Sequence, residues 1–230
     1  LLKCINIKKI AKIADDLKIP VITDDTIGSN INIDSLQVSD MVFTSLTKIF
    51  SGSGDILAGS LIINPKSKWL DKFKRALDKI NLPELSDNDL IALEKSSRDV
   101  QQRVSLQNLN CLDLKKRLEN HHSIKKVYHP ENCSNFNSIK KVNGGYGCLL
   151  SFELKEGLDK TIRFYNALQI SKGPSLGTQF TIACPYVQLA HYNELEWAAK
   201  FGVPPYLIRV SVGLEDNKLL WNKFAKALEP

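Results

Sequence analysis

Residues 21–64 decide the fold: VITDDTIGSNINIDSLQVSDMVFTSLTKIFSGSGDILAGSLIIN. Three short apolar runs in this stretch, at 21–23, 41–45 and 59–64, have the length and composition of β-strands. A helical spacing of apolar residues at 6–18 precedes them and ends before Pro20. This order predicts an α/β arrangement with a mainly parallel sheet, in which residues 21–23 form a short buried strand.

The rest of the chain predicts a group of helices followed by an α+β unit. The pattern is helical from 66 to about 119, with a break at 81–89 where Asp87 is placed to cap the next helix. Further strands are predicted at 123–129, 145–154, 168–171, 179–184 and 206–213, and helices at 158–168 and 216–228. We expect two domains, 1–107 and 108–230, with the boundary inside or just after a long helix.

Composition narrows the functional class of the protein. The chain has 230 residues, of which 43% are hydrophobic and 24% charged, and its net charge is +6. Because acidic residues are mixed with the basic ones and no zinc-finger or RNA-binding motif occurs, we expect no nucleic-acid partner. We also expect no membrane segment, since no run of 18 apolar residues and no signal peptide is present. Five cysteines without a CxxC pair predict reduced thiols, a cytoplasmic location and no metal site.

An acid and a lysine in the opening stretch suggest the chemistry. Asp24 ends a predicted strand, where ligands meet open α/β sheets, and Lys48 follows the next strand. Pyridoxal phosphate requires a lysine for covalent attachment, a carboxylate that keeps its ring nitrogen protonated, and hydroxyls for its phosphate. Ser45 and Thr47 flank the lysine as candidate phosphate ligands, and nearby glycines allow the backbone to approach the cofactor closely.

Other interpretations of these residues remain open. Asp24 could be a turn residue, Lys48 a solvated side chain, and the Ser-Leu-Thr-Lys sequence an ordinary turn. Residues 45–48 also match S-x-x-K, and residues 86–88 match S-D-N, which are motifs of serine β-lactamases and penicillin-binding proteins. However, K-T-G is absent, and the S-x-x-K motif should open a helix, whereas FSGSGD follows it at once.

In combination, four ordered motifs resemble the Cys/Met-metabolism pyridoxal-phosphate enzymes, which include the cystathionine synthases and lyases. The family pattern is roughly V-x-V-D-N-T-F, S-x-T-K-x-x-x-G-H-x-D-x-x-x-G, S-L-G and L-I-R-x-S-V-G-x-E-D. This chain has VITDDTI, SLTKIFSGSGDILAG, PSLGT and LIRVSVGLED in the same order. The resemblance covers the chain essentially from end to end.

The resemblance implies a fold and a set of site residues. The fold would be that of the aspartate aminotransferase-like, fold type I transferases, with the C-terminal part of the large domain followed by a smaller α+β domain. Lys48 would bind pyridoxal 5'-phosphate covalently, with the remaining cofactor ligands Asp24, Thr26, Ser45 and Thr47. Arg209 would bind the substrate α-carboxylate with help from Ser175, since arginine suits bidentate carboxylate recognition. Without the resemblance, Arg209 would be interpreted as an ion-pair partner of Glu215, and Ser175 as a turn residue.

The departures from the family pattern leave the reaction open. Asp25 replaces an asparagine, Ile27 an aromatic residue and Ser53 a histidine, which resembles the divergent fungal cystathionine γ-synthase-like branch. The resemblance also implies that a stretch preceding residue 1 in family members, with further cofactor ligands, is missing here. We expect a trans-sulfuration enzyme, or a piece of one, that joins an O-acylated homoserine to cysteine as a homo-oligomer. A cystathionine lyase, a homocysteine synthase and a non-catalytic remnant or binding module are the alternatives.

Overall fold

The computed structural model describes residues 1–229. The first part of the chain forms α1 (Ile7–Asp16), β1 (Ile22–Asp24), β2 (Met41–Ser45), β3 (Gly59–Ile63), α2 (Leu70–Leu77), α3 (Asp87–Ser97) and α4 (Val100–Glu119). The second part forms β4 (Ile124–Tyr128), α5 (Ser134–Asn137), β5 (Leu149–Leu154), α6 (Gly157–Ala167), β6 (Ser171–Lys172), β7 (Ile182–Pro185), α7 (Tyr186–Ala190), α8 (Leu195–Lys200), β8 (Ile208–Ser211) and α9 (Asn217–Leu228). The predicted elements are therefore present, most of them shorter than the sequence pattern suggested.

The first sheet has three strands in the order β1–β2–β3. β1 runs parallel to β2, with Asp24 opposite Phe43, whereas β3 runs antiparallel to β2, with Gly59 opposite Ser45. The prediction of a mainly parallel sheet is thus wrong for β3. Residues 46–58 contain one short turn and no crossover helix, and a parallel connection normally needs such a crossover.

The prediction that residues 21–23 form a buried strand is also wrong. Ile22 keeps 56% of its surface exposed. Within residues 1–229, β1 has a hydrogen-bonded neighbour only on the β2 side, so it is an edge strand. The apolar composition of residues 21–23 correctly predicted a strand but did not predict how much of it is buried.

The N-cap of helix α3 lies one residue before the predicted cap. Ser86, not Asp87, is the N-cap residue, and its side chain accepts a hydrogen bond from the backbone N–H of Asp89. Asp87 is the first residue of the helix, where its negative charge favours the helix N-terminus. The predicted cap at Asp87 is therefore a near miss, in a sequence where both residues are good caps.

The second sheet has five strands in the order β4–β5–β8–β7–β6, all antiparallel except the β6–β7 pair. Helices α4, α6 and α9 contact the sheet or one another and cover the main hydrophobic core. Phe152, Phe164 and Phe224 are completely buried there. Burial of one such side chain contributes about 1.5–3 kcal/mol, so this core is the principal source of stability for the second half.

Helix α4 takes part in both halves of the structure. Its C-terminal residues Cys111, Leu114 and Leu118 belong to the main core, while its first half contacts the turn that follows β2. The expected domain boundary at residue 107 falls inside this continuous helix. The division into two domains therefore stays a prediction. Helix α4 contacts both the turn after β2 and the main core.

Candidate functional site

Lys48 lies on a short π-helical turn, Leu46–Phe50, directly after β2. At Lys48 the backbone leaves helical geometry, with φ −90° and ψ −113°. Single π-turns of this kind occur frequently at functional sites. The Lys48 side chain is half-buried, and its ammonium makes no hydrogen bond or ion pair with any other part of residues 1–229. A lysine held this way has its amine available for a ligand.

Arg103, on α4, binds the backbone of the Lys48 turn. Its guanidinium donates to the carbonyl oxygens of Ile49 at 3.2 Å and Phe50 at 2.7 Å, and to that of Ser96 at 2.9 Å. Asp99 pairs with its Nε at 2.8 Å, while the arginine itself is only 4% exposed. Turn carbonyls that no helix satisfies are thus bound by a buried charged donor, which fixes the path of the chain after Lys48.

The sequence analysis did not select Arg103, although the spacing of polar residues along α4 contains a signal for it. Arg103, Gln107 and Asn110 are all buried and recur at the spacing of one helix face. Their side chains donate to backbone carbonyls in three different segments: Ile49–Phe50, Thr178, and Gly213 with Glu215. Polar residues at helical spacing beside apolar ones therefore mark a face of α4 that binds other segments.

The PSLGT motif docks against the Lys48 turn. Gly177 has φ +76°, and a Cβ on it would lie 2.6 Å from the backbone nitrogen of Ile49, so only glycine fits this contact. The Gly177 N–H donates to Ser211 Oγ at 2.8 Å, and the Gln179 N–H donates to the carbonyl of Gly52 at 2.8 Å. The structure therefore brings together two motifs that are more than a hundred residues apart.

Asp24 ends β1 with an exposed carboxylate that is oriented by its neighbour. Its Oδ1 accepts hydrogen bonds from the Thr26 N–H at 2.9 Å and from Thr26 Oγ1 at 2.6 Å. Thr26 Oγ1 in turn accepts from the Ser45 N–H at 2.9 Å. Because β1 and β2 are parallel, their C-terminal ends meet at one sheet edge, and this chain of bonds connects Asp24 to the start of the Lys48 turn.

Asp25 differs from its neighbour in environment. It is 4% exposed, and its carboxylate accepts from the hydroxyls of Thr44 and Ser35. Burial raises the pKa of Asp25, and the two hydroxyl bonds counteract part of that rise. Asp25 therefore anchors the loop after β1 inside the protein, while Asp24 remains the acid that faces outward.

The two hydroxyls proposed for the phosphate are in different situations. Thr47 Oγ1 accepts from the Ala58 N–H at 3.1 Å and lies 3.4 Å from the Ala58 carbonyl, so it ties the turn to the start of β3. The Ser45 hydroxyl has no partner among the described residues. Ser45 is thus the freer donor of the pair.

Arg209 lies on β8 and contacts the PSLGT motif rather than an acid. Its Nη2 donates to the carbonyl oxygens of Pro174 and Ser175, the latter at 3.2 Å. The guanidinium also stacks 4.9 Å from the centre of the Tyr186 ring, a contact that no local sequence pattern indicates. These contacts leave the rest of the planar fork without a carboxylate partner in residues 1–229.

The interpretation of Arg209 as an ion-pair partner of Glu215 is wrong. Glu215 accepts instead from the Thr181 N–H at 2.5 Å and from Thr181 Oγ1 at 2.7 Å. The motif around residues 174–177 therefore contacts Arg209 at one end and the Lys48 turn at the other. The predicted site residues fall into two groups, and this segment joins them.

The donor set fits pyridoxal phosphate. Lys48 offers an unpaired amine, Asp24 an exposed carboxylate held in one orientation, and Ser45 a free hydroxyl. No cluster of three His, Cys, Asp or Glu side chains suited to a metal occurs within residues 1–229, and in the same range no helix is both long and apolar enough to cross a membrane. The β-lactamase interpretation fails on geometry. The S-x-x-K sequence should begin a long helix, but here it forms a single π-turn that ends at Phe50.

Two curated relatives illustrate the comparison with known proteins. Cystathionine gamma-synthase of Neurospora crassa is 40% identical over 232 residues, which cover 100% of this chain and 37% of that protein. Cystathionine gamma-synthase of Saccharomyces cerevisiae is 39% identical over 241 residues, again with 100% and 37% coverage. The chain thus spans little more than a third of the length of these relatives.

A solved structure and the family profile complete the comparison. The crystal structure of cystathione gamma lyase (CalE6) from Micromonospora echinospora superposes with a TM-score of 0.86 at 23% identity, covering 99% of this chain and 61% of that one. That likeness establishes the fold. Residues 1–229 match the family profile described as Cys/Met metabolism PLP-dependent enzyme. The chain therefore belongs to the Cys/Met metabolism PLP-dependent enzymes.

Proposed function

We propose that this chain is part of a trans-sulfuration enzyme, a cystathionine gamma-synthase. The reaction would replace the γ-acyloxy group of an O-acylated homoserine by the sulfur of cysteine, giving cystathionine and a free carboxylic acid. One observation carries the proposal: the PSLGT segment contacts both the Lys48 turn and Arg209. The identity of about 40% to fungal cystathionine gamma-synthases favours this reaction over others in the family.

Each of the site residues has a role in this proposal. Pyridoxal phosphate, when bound, supplies an electron-accepting ring that stabilises negative charge on the substrate carbon. Lys48 would bind the cofactor and, once released, move protons at the substrate carbons. Asp24 would hold a proton on the ring nitrogen, and Thr26 would keep that carboxylate in position. Ser45 would donate to the phosphate, and Thr47 would do so after weakening its bonds to Ala58.

The substrate carboxylate would bind at Arg209. Its guanidinium is fixed by the Pro174 and Ser175 carbonyls and by Tyr186, so little side-chain entropy is lost when a carboxylate binds. The Ser175 hydroxyl, which has no partner within residues 1–229, would complete this subsite. A neutral or lysine side chain in place of Arg209 would not offer the same planar fork.

The finer structural expectations form part of the same proposal. Residues 1–107 would belong to the large domain of a fold type I enzyme and residues 108–230 to its small domain, within a homo-oligomer located in the cytoplasm. The exposed apolar side chains of α1 and β1, such as Ile13 and Ile22, favour contacts with further protein. A non-catalytic remnant is the competing proposal, motivated by Asp25 and Ile27, the departures from the family pattern on either side of Thr26.

Trapping of the cofactor on Lys48 tests the proposal without requiring turnover. The protein is mixed with pyridoxal phosphate, reduced with borohydride and digested with trypsin. We expect a peptide spanning residues 19–66, uncleaved at Lys48 and carrying the reduced cofactor. Lys48→Ala should lose this peptide, whereas Lys95→Ala, a change of an exposed lysine on α3, should retain it. Labelling spread equally over surface lysines of a folded sample would contradict the proposal.

The identity of the product separates the synthase from its relatives. Incubation with an O-acylated homoserine and cysteine should give cystathionine as the thioether product. A lyase would instead release a keto acid from cystathionine, and a homocysteine synthase would require an inorganic sulfide donor. Cofactor trapping without any turnover would favour the remnant.

A further inference from the structure

Cys4 and Cys133 are adjacent in space although they are 129 positions apart in the chain. The Cys4 N–H donates to Cys133 Sγ at 3.3 Å, and that thiol lies 3.7 Å from the Cys4 carbonyl oxygen. Asn135 also donates to the Cys4 carbonyl, at 3.0 Å. Three polar contacts therefore hold the backbone of Cys4 against the segment that carries Cys133.

The separation of the two residues suits a disulfide. The Cys4 nitrogen lies 3.3 Å from Cys133 Sγ. Adding the N–Cα bond of Cys4 and the Cα–Cβ–Sγ link of Cys133 places the two Cα atoms at most about 7.5 Å apart. Disulfides require Cα atoms about 4.4–6.8 Å apart, so little or no backbone movement is needed. The Cys4 thiol currently donates to the Ile5 carbonyl at 3.3 Å and would turn about its first side-chain torsion.

These two thiols differ from the other three in their access to solvent. Cys4 and Cys133 are partly exposed, whereas Cys111, Cys148 and Cys184 are at most 2% exposed. Cys133 has a rigid backbone, because its N–H donates to Pro130 and its carbonyl accepts from Asn137. A small oxidant would therefore meet these two thiols and no other cysteine.

A cleft beside the pair has the charge to attract such an oxidant. It has a volume of about 500 Å³, and the side chains of Cys4, Cys133, Lys3, Lys126 and Asn135 are among its walls. Lys3 and Lys126 take part in no ion pair within residues 1–229. Lysines that line the same cleft as the thiols favour a small disulfide that carries carboxylates, such as oxidised glutathione.

We propose that Cys4 and Cys133 are a reversible redox pair, oxidised by a low-molecular-weight anionic disulfide of the glutathione class. One thiolate attacks the small disulfide, forms a mixed disulfide and releases one small thiol. The second cysteine then attacks the protein sulfur of that mixed disulfide and releases the second small thiol. Two protein thiols lose two electrons and two protons in total, and the small disulfide gains them as two thiols.

The bond would fasten the segment before α1 to α5. Both cysteines pack against a small cluster of Ile7, Ile33 and Phe136 that connects α1, the loop after β1 and α5. Oxidation would therefore staple this cluster, and reduction would release it. The pair lies outside the group of residues assigned to the cofactor and substrate, so its chemistry is independent of the proposed reaction.

Peptide mapping of the full chain tests the pair. The folded protein is treated with oxidised glutathione, blocked with an alkylating agent and digested with trypsin without reduction. We expect peptide 4–8 linked to peptide 127–140, with the loss of two hydrogen masses, and complete reversal by dithiothreitol. Cys184→Ser, a change at a buried cysteine, should leave the link intact.

Single variants show whether the link forms by the proposed route. In Cys4→Ser and in Cys133→Ser the remaining thiol should accumulate a glutathione adduct, since the resolving partner is absent. Glutathione adducts on both cysteines of the unaltered protein without a link between them would overturn the proposal. A link that appears only between two chains, or only in urea, would overturn it as well.

Discussion

Arg103 Nη2 lies 2.7 Å from the carbonyl oxygen of Phe50, two residues beyond Lys48. A residue from the middle of the chain thus fixes the turn that carries the candidate cofactor lysine. The arginine is buried and binds three carbonyls at once. Its removal leaves those oxygens without a donor.

We therefore expect Arg103→Met to lower the free energy of unfolding by about 3 kcal/mol, because three carbonyls lose the charged donor that a buried arginine supplies. It should also slow the trapping of pyridoxal phosphate on Lys48. Urea unfolding and the borohydride assay measure the two effects. Arg98→Met is the matched control, since Arg98 is 71% exposed and pairs only with Glu94. Equal unfolding curves for the two variants would show that Arg103 does not stabilise the Lys48 turn.

Gly177→Ala should destabilise the protein through a clash with Ile49. Gly177 and Gly157 both have positive φ, +76° and +73°, but a Cβ at Gly157 would meet nothing within 4 Å. Gly157→Ala therefore measures the backbone cost alone, about 1 kcal/mol. We expect Gly177→Ala to cost at least about 1 kcal/mol more, from overpacking against a backbone. The difference between the two urea midpoints is the measurement, and no difference would contradict the docking of the PSLGT segment.

His129 should make stability depend on pH in the acid range. Burial lowers its pKa to about 4, with Glu131 opposing that shift and Lys115 adding to it. Between about pH 6.5 and pH 4 the unfolded chain binds a proton that the folded protein does not, so stability rises with pH in this window. The shift from 6.5 to about 4 corresponds to about 3 kcal/mol lost at the acid end.

His129→Asn isolates that contribution. His129 Nδ1 accepts from the Glu131 N–H at 3.3 Å, and an asparagine oxygen can accept the same bond without titrating. Unfolding free energies at several pH values from 4 to 7 should fall less steeply toward acid in the variant. Parallel curves for the two proteins would show that His129 binds its proton equally well in the folded and unfolded states, which would contradict the lowered pKa.

Asp24→Ala should separate cofactor attachment from turnover. Attachment requires the amine of Lys48, whereas stabilisation of negative charge on the substrate requires the protonated ring. We expect the borohydride adduct on Lys48 to persist while formation of cystathionine is lost. Asp71→Ala, a change at an exposed acid on α2 outside the four motifs, is the control. Unchanged turnover in Asp24→Ala would refute the electronic role of Asp24.

Arg209→Lys should raise the KM for the acylated homoserine at least about tenfold, since a bidentate charged contact contributes about 1.5–3 kcal/mol. Trapping of the cofactor on Lys48 should be unaffected. Steady-state kinetics with varied substrate give the measurement. A lower kcat at unchanged KM would place Arg209 in the chemical step and not in substrate binding.

The sequence placed Asp24 and Lys48 after neighbouring strands because local rules suffice there. A short apolar run marks each strand, and parallel neighbours place their ends at one edge. The direction of β3 was not predictable in this way, since it depends on how residues 46–58 turn back. The exposure of Ile22 depends on what lies beside β1, which its own composition does not encode.

Long-range contacts account for the other differences. Arg103 binds a turn about fifty residues earlier, and no pattern within α4 names that partner. Arg209 and Glu215 lie close in sequence and have opposite charges, yet Glu215 bonds to Thr181 and Arg209 to the carbonyls of residues 174 and 175. Proximity along the chain therefore suggested a pair that the tertiary structure separates.

The double membership of α4 has a mechanical consequence. Near its N-terminus, α4 carries the Arg103 guanidinium that binds the Lys48 turn. Near its C-terminus it carries Leu114 and Leu118 of the main core. We expect a tilt of α4 caused by loosening of the five-stranded sheet to reach the turn, because the helix contains no proline or glycine at which it could kink sharply. The chemical reactivity of the Lys48 amine thus serves as a reporter of how well the second half of the chain is folded.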